Sequence, residues 1–410
     1  MRGLAICLAA ALIAGATAAG ALAADHRARA TGDPTAFEGD GMWIWYVSKA
    51  KEGDPGRIAA QARRRGMETV FVKAGDGADT WRQFTPGLVA RLHAKGINVC
   101  AWHYVYGSDP VGEARVSAEA ASRGADCLVI DAESEYEGRY AQASTYVTEL
   151  RRLVGPDYPI GLAAFPYVHY HPAFPYSVFL GPGAATFNLP QMYWRAIGDS
   201  VGKVFSITYT YNGVYGRPIL PLGQLYSNPP RRQVLRFRRL AADYGAAGVS
   251  WWSWQHASRR GWRAASRRVG SGGVRRVAPY PELGEGAAGD LVVWAQEHLA
   301  SGGYYGKAVT GRYRSSTTGA VAAFQTAAGL PRTGVLDSPT WTALLAALDP
   351  QPVSWRRRPT APAHARGVPT APGHARGLVH ARTAAREPMR VPASARLPAR
   401  EDELEPGRAR

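Results

Sequence analysis

Thr310-Gly311-x-x-x-Ser315-x-Thr317-x-x-Ala320-Val321 returns 23 positions later as Thr333-Gly334-x-x-x-Ser338-x-Thr340-x-x-Ala343-Leu344. Each copy reads as a tight glycine turn, a serine whose hydroxyl accepts a free backbone N–H at a helix start, and an apolar helical face. Pro339, directly after Ser338, suits the first helical position, where its missing N–H costs nothing. Such a cap contributes about 1 kcal/mol. A third helix precedes the repeat, with Asp290 as its expected cap, Trp294, Gln296 and Leu299 along it, and Gly302-Gly303 as its stop. Residues 290–348 are therefore expected to form an all-α three-helix domain of about 60 residues, small but able to fold alone.

The segment resembles the peptidoglycan-binding domain family that is appended to bacterial wall hydrolases. Its resemblance is carried by Val293, Gln296, Leu299, Gly303-Tyr304-Tyr305, Gly311, Tyr313, Thr317, Ala320-Val321, Phe324-Gln325, Gly329-Leu330, Gly334-Val335, Thr340-Trp341 and Leu344, which span the whole unit. Thr310 departs from the pattern, since the family commonly has Asp before that glycine. The resemblance implies peptidoglycan as a partner. Contacts to it are expected from the polar and aromatic positions Tyr304, Tyr305, Arg312 and Tyr313, while the buried positions hold the helices together.

At the other end, Arg2, an apolar run from Leu4 to Leu22 and the closing Ala21-Leu22-Ala23 have the three parts of a secretory signal, with cleavage expected after Ala23. Gly15, Gly20 and the many small residues disfavour the alternative of a retained anchor. No other run reaches the ~20 apolar residues of a membrane span, so the mature chain is expected to be secreted and associated with the wall, without a membrane. Residues 24–40 read as a linker. Cys7 would leave with the signal, and Cys100 and Cys127 on neighbouring strands favour two buried thiols over a disulfide.

The chain carries 49 Lys plus Arg against 32 Asp plus Glu. Such a surface attracts polyanions. No nucleic-acid motif is visible, so anionic cell-wall polymers are the expected partner and nucleic acid is not. In 349–410 Pro, Ala, Arg and His dominate, and the segment from Pro359 to Gly367 nearly recurs from Pro369 to Gly377. With no apolar period to offset ordering entropy, this tail is expected to be disordered. A second linker, rich in Gly and Arg, is expected over 270–289.

Residues 41–269 hold eight short apolar runs: Met42 to Val47, Thr69 to Ala74, Val99 to Tyr106, Cys127 to Ala132, Ile160 to Phe165, Leu189 to Tyr193, Ile219 to Leu225 and Gly248 to Trp254. Helical periodicity lies between them at Pro55 to Arg65, Gly87 to Lys95, Val111 to Arg123, Tyr140 to Leu153 and Arg231 to Tyr244. Alternating strands and helices imply parallel pairing, and eight such units fit an α/β (β/α)8 barrel. The alternative, an open doubly wound sheet, lacks a Gly-rich phosphate loop after its first strand.

A barrel carries its site at the carboxyl ends of its strands. The fourth strand ends Leu128-Val129-Ile130-Asp131-Ala132-Glu133. A period of two puts Asp131 and Glu133 on one face, toward the mouth, with Leu128 and Ile130 outward. Two close carboxylates repel, which raises the pKa of one and can keep a general acid protonated. At these residues the domain resembles glycoside-hydrolase barrels of the lysozyme type (family 25) and the chitinase type (family 18), which carry Asp-x-Glu at the end of strand four. Gln191-Met192-Tyr193-Trp194 is similar to the chitinase-type Met-x-Tyr region, and Gly248 to Trp254 to the aromatic last strand. Trp43-Ile44-Trp45-Tyr46 departs from family 25 in lacking an Asp, and strand four lacks the earlier Asp residues of family 18.

The resemblance implies cleavage of N-acetylhexosamine polymers, with Glu133 protonating the leaving oxygen and Asp131 orienting the substrate's acetamido group, which Gln191 and Tyr193 would hold. Lys73 and Asp76 are expected to pair near the mouth, and Asp76 is the spare carboxylate for a direct two-acid route. Trp45, Tyr104, Tyr106, Tyr193, Trp194, Trp252 and Trp254 are candidate sugar platforms. His103 reads as a satisfied core histidine. His169 and His171 have a metal-like spacing without an acidic third ligand in sight, so neither a metal nor a cofactor is expected. Three functions stay open: a wall glycan hydrolase, a wall-binding protein with a degenerate barrel, and an amidase or peptidase, which lacks a visible metal or Cys-His site.

The tail generates a prediction. Full-length protein should lose wall binding between low and high salt more steeply than a chain ending at residue 350, because its arginine charge is screened. Sedimentation with purified walls measures this, and equal salt slopes would remove the tail from the contact.

Overall fold

The computed structural model describes residues 35–273 and 275–350. The expected signal segment and the tail from 351 lie outside the described residues, as does most of the expected first linker.

Strands that are apolar on both faces need cover on both, which parallel pairing with intervening helices supplies. The strands are β1 (Gly39–Ile44), β2 (Thr69–Asp76), β3 (Asp79–Thr80), β4 (Asn98–Val105), β5 (Cys127–Ala132), β6 (Ile160–Ala163), β7 (Phe187–Asn188), β8 (Gln191–Met192), β9 (Leu222–Gln224) and β10 (Gly248–Trp252). All pair in parallel except β3, which folds back on β2, and the order is β7-β6-β5-β4-β2-β1-β10-β9-β8. The two end strands, β7 and β8, are halves of one run: β7 bonds β6 on one side and β8 bonds β9 on the other, so the sheet closes into a (β/α)8 barrel. Pro190 breaks the run because it has no N–H to donate. Its carbonyl still accepts from Leu222, and Leu189 and Gln191 donate to the carbonyls of Leu162 and Ala164.

Several strand limits differ from the sequence reading. The first strand is Gly39–Ile44, not Met42 to Val47, and the last ends at Trp252. Part of the expected first linker belongs to the barrel, because Phe37 is buried inside it, 4.6 Å from the Phe187 ring.

The barrel helices are α1 (Pro55–Arg64), α2 (Pro86–His93), α3 (Pro110–Ser122), α4 (Tyr140–Val154), α5 (Tyr176–Phe179), α6 (Trp194–Ile197), α7 (Val201–Asn212), α8 (Arg231–Asp243) and α9 (Arg259–Ala265). The first three open with Pro after Asp54, Thr85 and Asp109, whose side chains accept from Arg57 N, Leu88 N and Gly112 N at 2.7, 3.1 and 3.0 Å.

Alternation sets the two layers. On β5, Leu128 and Ile130 pack outward, whereas Cys127 and Val129 join Trp43, Phe71 and Trp102 inside. Cys100 and Cys127 are register partners with Cα atoms 4.6 Å apart, and they form a disulfide rather than the expected pair of thiols. Closing a loop over their 27-residue separation corresponds to about 3.5 kcal/mol in the chain-entropy model.

The C-terminal helices are α10 (Asp290–Ser301), α11 (Ser315–Ala327) and α12 (Ser338–Ala347). A glutamine explains each copy of the repeat. Gln296 accepts from the N–H groups of Thr310 and Gly311 and donates to Thr317 Oγ1, while Gln325 accepts from those of Thr333 and Gly334 and donates to Thr340 Oγ1. Gly311 and Gly334 turn at φ +66° and +68°, where a side chain is strained.

The caps sit one residue earlier than expected. Asp337, not Ser338, accepts from Thr340 N at 2.9 Å, and Arg314 precedes α11 without a side-chain cap. Likewise Gly289 holds the cap position of α10, so Asp290 is helical and its carboxylate serves another task.

That task joins the two domains. Buried Asp290 accepts from Ser177 N, Ser177 Oγ and Tyr215 Oη at 2.8, 2.6 and 2.8 Å. Its own N–H donates to Pro172 O at 2.7 Å, and Trp294 Nε1 donates to Val214 O at 2.8 Å. The end of the expected second linker is also packed, since Leu283 and Leu336 exchange backbone bonds and Pro281 O accepts from Trp341 Nε1.

Asp290→Ala should leave three buried donors without an acceptor and cost about 2–3 kcal/mol. Urea unfolding measures the loss, and faster trypsin cleavage at Arg267 and Arg268 should accompany it. An unchanged unfolding midpoint would show that the docking contributes nothing.

Candidate active site at the barrel mouth

The strand ends place a polar cluster inside an aromatic ring. β5 supplies Asp131 and, one step beyond its end, Glu133, both nearly buried. From β8, Gln191 sends its amide nitrogen to both, at 3.1 Å to Asp131 Oδ1 and 3.0 Å to Glu133 Oε1. An amide has two N–H donors, so one side chain bridges the pair. Burial, then the charge of Glu133, holds the Asp131 carboxyl well above the usual carboxylate range, with Lys73 opposing.

β2 supplies Lys73 and Asp76, which pair at 2.5 Å as expected from the sequence. Strict alternation would put residues three apart on opposite faces, but the register shifts between Lys73 and Gly75, and this bulge brings both into the mouth. Gly75 is needed there, since a Cβ would lie 2.5 Å from Val116 and 2.7 Å from the His103 ring. The Lys73 ammonium lies over the rings of Trp81, Trp45 and Trp102 at 4.2, 4.9 and 5.0 Å. Burial lowers its pKa, with Asp76 opposing.

Phenols complete the rim. Tyr106 Oη donates to Asp76 Oδ1 at 2.8 Å, and Tyr104 Oη to Glu135 Oε2 at 3.0 Å. Tyr193 meets Tyr226 edge-on at 5.4 Å, and burial together with Tyr226, Asp131 and Glu133 raises the Tyr193 pKa. Trp252 closes the floor against Trp43, Trp45 and Trp102. Tyr226 Oη and Trp45 Nε1 are buried without a hydrogen-bond partner among the described residues. Tyr226 was missed in the sequence because it lies two residues past the short β9, outside any periodic run.

Other candidates fall elsewhere. Trp194 points outward, donating to Gln233 at 3.0 Å and packing on Phe237, and Trp254 packs on Trp262 at 4.8 Å. Trp194 opens α6 and Trp254 lies past the end of β10, where strand alternation no longer applies. His103 is a satisfied core residue, 2.7 Å from both Ser117 Oγ and Gly77 O, and burial lowers its pKa to about 4. His171 has an acidic neighbour that the sequence reading overlooked, Glu137 Oε1 at 2.7 Å. Among the described residues no group of three or more His, Cys, Asp or Glu is placed to hold a metal ion. In the C-terminal domain, Tyr305 and Tyr313 are buried, and Tyr313 Oη donates to Gly334 O, so these two hold the fold. Arg312 is exposed and Tyr304 half-buried.

Residues 288–344 match the family described as "Putative peptidoglycan binding domain". A comparison with curated proteins returns no match. Similar solved structures include the endo-β-1,4-mannanase from Thermotoga petrophila, 11% identical, covering 54% of this chain and 69% of that one with TM-score 0.42. The catalytic domain of a hyperthermophilic chitinase from Pyrococcus furiosus is 10% identical, with coverage of 56% and 93% and TM-score 0.44. Dihydrodipicolinate synthase from Rhodopseudomonas palustris is 13% identical, with coverage of 53% and 71% and TM-score 0.32. Such distant likenesses say nothing of chemistry. Among the described residues no helix is long and apolar enough to cross a membrane.

The raised Asp131 pKa has a signed consequence. Its contribution to stability is fully present below about pH 3.9, the unfolded value, and is lost as pH rises through the folded value. Urea unfolding of wild type and Asp131→Asn at pH 4 and pH 8 should therefore show the wild type losing ground to the variant at the higher pH. The slope is at most about 1.4 kcal/mol per pH unit. An equal difference at both pH values would mean that Asp131 is not shifted.

Proposed function

We propose that the protein is an exported hydrolase of wall glycan, cleaving N-acetylhexosamine bonds while its C-terminal domain binds peptidoglycan. The observation that carries this reading is the buried Asp131–Glu133 pair bridged by Gln191 in the barrel mouth. Two coupled carboxylates hold one proton between them. In the reaction Glu133 delivers it to the leaving oxygen as the glycosidic C–O bond breaks, while Asp131, left ionised, orients the acetamido group whose oxygen attacks the anomeric carbon; water then displaces that oxygen from the cyclic intermediate and gives its proton back to Glu133. Gln191 and Tyr193 hold that group, Tyr226 Oη and Trp45 Nε1 supply unused donors, and Trp252 forms the floor. Wall association follows from the match over 288–344, and export from the N-terminal signal pattern.

A second reading, a binding protein with an inactive barrel, is favoured by one observation. Where the lysozyme type has Asp, the first strand carries Trp43 in the interior, and Trp45, just past its end, packs against the same cluster.

Glu133→Gln keeps shape but cannot donate a proton, so it should abolish release of reducing ends from purified walls while wall sedimentation and thermal melting stay unchanged. Asp131→Asn should lose at least about tenfold, near 1.4 kcal/mol of transition-state stabilisation. Activity retained in Glu133→Gln would show that the site is misplaced. A wild type inactive on walls and on chitin-like oligomers at every pH would leave the binding reading.

A further inference from the structure

Tyr170 is 63% exposed, the most exposed aromatic ring among the described residues. It stands on the segment that follows β6, which leaves the barrel on the same face as the mouth. Other rings fix its place. Tyr170 meets Tyr167 edge-on at 5.4 Å and His169 at 4.4 Å, and His169 stacks on Tyr211 of α7 at 4.2 Å. Tyr167 Oη donates to Asp199 Oδ2 at 2.9 Å, and Lys203 Nζ holds Asp199 Oδ1 at 2.7 Å. The exposed ring is thus preordered on a stacked base, and little rotamer freedom would be lost on binding a flat apolar surface.

Its neighbours in sequence connect the two functional parts of the molecule. His171 is bonded to Glu137, on the loop that leaves β5 with Glu133, and Ala173 O accepts from Gly138 N on the same loop. Pro172 O accepts from the first N–H of α10 in the peptidoglycan-binding domain. Tyr170 therefore lies where the candidate active-site loop and the wall-binding domain meet one segment.

We propose that Tyr170, backed by His169 and Tyr211, is a second glycan-binding platform that takes the apolar face of an N-acetylhexosamine ring and lies on the side of the mouth toward the peptidoglycan-binding domain. Asp199 and Lys203 offer an acceptor and a donor for sugar hydroxyls beside the ring. Their mutual pairing neutralises the patch, which suits an uncharged glycan better than a phosphate backbone. The platform rests on the glycan reading of the mouth, but its test does not require hydrolysis.

Binding of peptide-free glycan to the full chain is measured by calorimetry, with an N-acetylglucosamine hexamer and with amidase-stripped wall strands as probes. Tyr170→Ala should weaken binding of both about tenfold, and Tyr170→Trp, which keeps a stacking face, should retain it. Because the ring is exposed, melting temperatures should be unchanged, and the peptidoglycan-binding domain is identical in every variant. Equal affinity of wild type and Tyr170→Ala overturns the proposal, as does a wild type that binds neither probe or prefers a single-stranded oligonucleotide. Tyr170-dependent binding without release of reducing ends would overturn the hydrolase reading and leave the platform standing.

Discussion

Two carboxylates at the end of one strand, in a mouth walled by indoles, cannot both stay ionised without compensation. Much of the mouth serves that constraint. Gln191 gives an N–H to each acid, and Lys73 places a positive charge close enough to oppose the rise in the Asp131 pKa. Lys73 is itself expensive to bury, so it is paired with Asp76 and surrounded by Trp45, Trp81 and Trp102, whose ring faces attract a cation. Asp76 in turn accepts from Tyr106. The chain of compensation begins at Asp131 and ends at the bulge before Gly75, without which Lys73 and Asp76 would face opposite ways.

The C-terminal domain meets a different constraint with a different residue. Its turns must expose pairs of backbone N–H groups at a helix entry, and the carboxamides of Gln296 and Gln325 absorb them. A carboxamide can accept from the turn and donate to the helix threonine at once, with no charge to desolvate. The repeated Thr-Gly…Ser-x-Thr pattern is the imprint of that geometry, with Gly turning the chain and Thr317 or Thr340 receiving the second half of each bond.

The barrel was legible in the sequence because strand and helix periods differ and alternate, and Asp131, Glu133, Gln191 and Tyr193 could be placed at the mouth because each lies on or next to an apolar run that ends there. Other features depend on register, which one strand does not carry. Cys100 and Cys127 sit opposite each other only once β4 and β5 are aligned. Trp194 and Trp254 lie past the ends of β8 and β10, so the alternation that would have turned them inward has already stopped. Tyr226 follows a three-residue strand too short to show any period. Asp290 was read as a cap by local chemistry, but tertiary partners claimed its carboxylate: Ser177 and Tyr215 lie 113 and 75 residues away in sequence.

That claim changes what the C-terminal domain is. A tether of Gly and Arg would let a wall-binding domain swing freely about the barrel, raising only the local concentration of glycan. A buried carboxylate with three donors, reinforced by the Trp294 bond to Val214, instead fixes one orientation. The segment that receives Asp290 runs directly from the His171 contact with Glu137. The C-terminal domain and the barrel mouth are therefore joined through a few residues of packed chain, and the two keep a set distance and angle instead of moving independently.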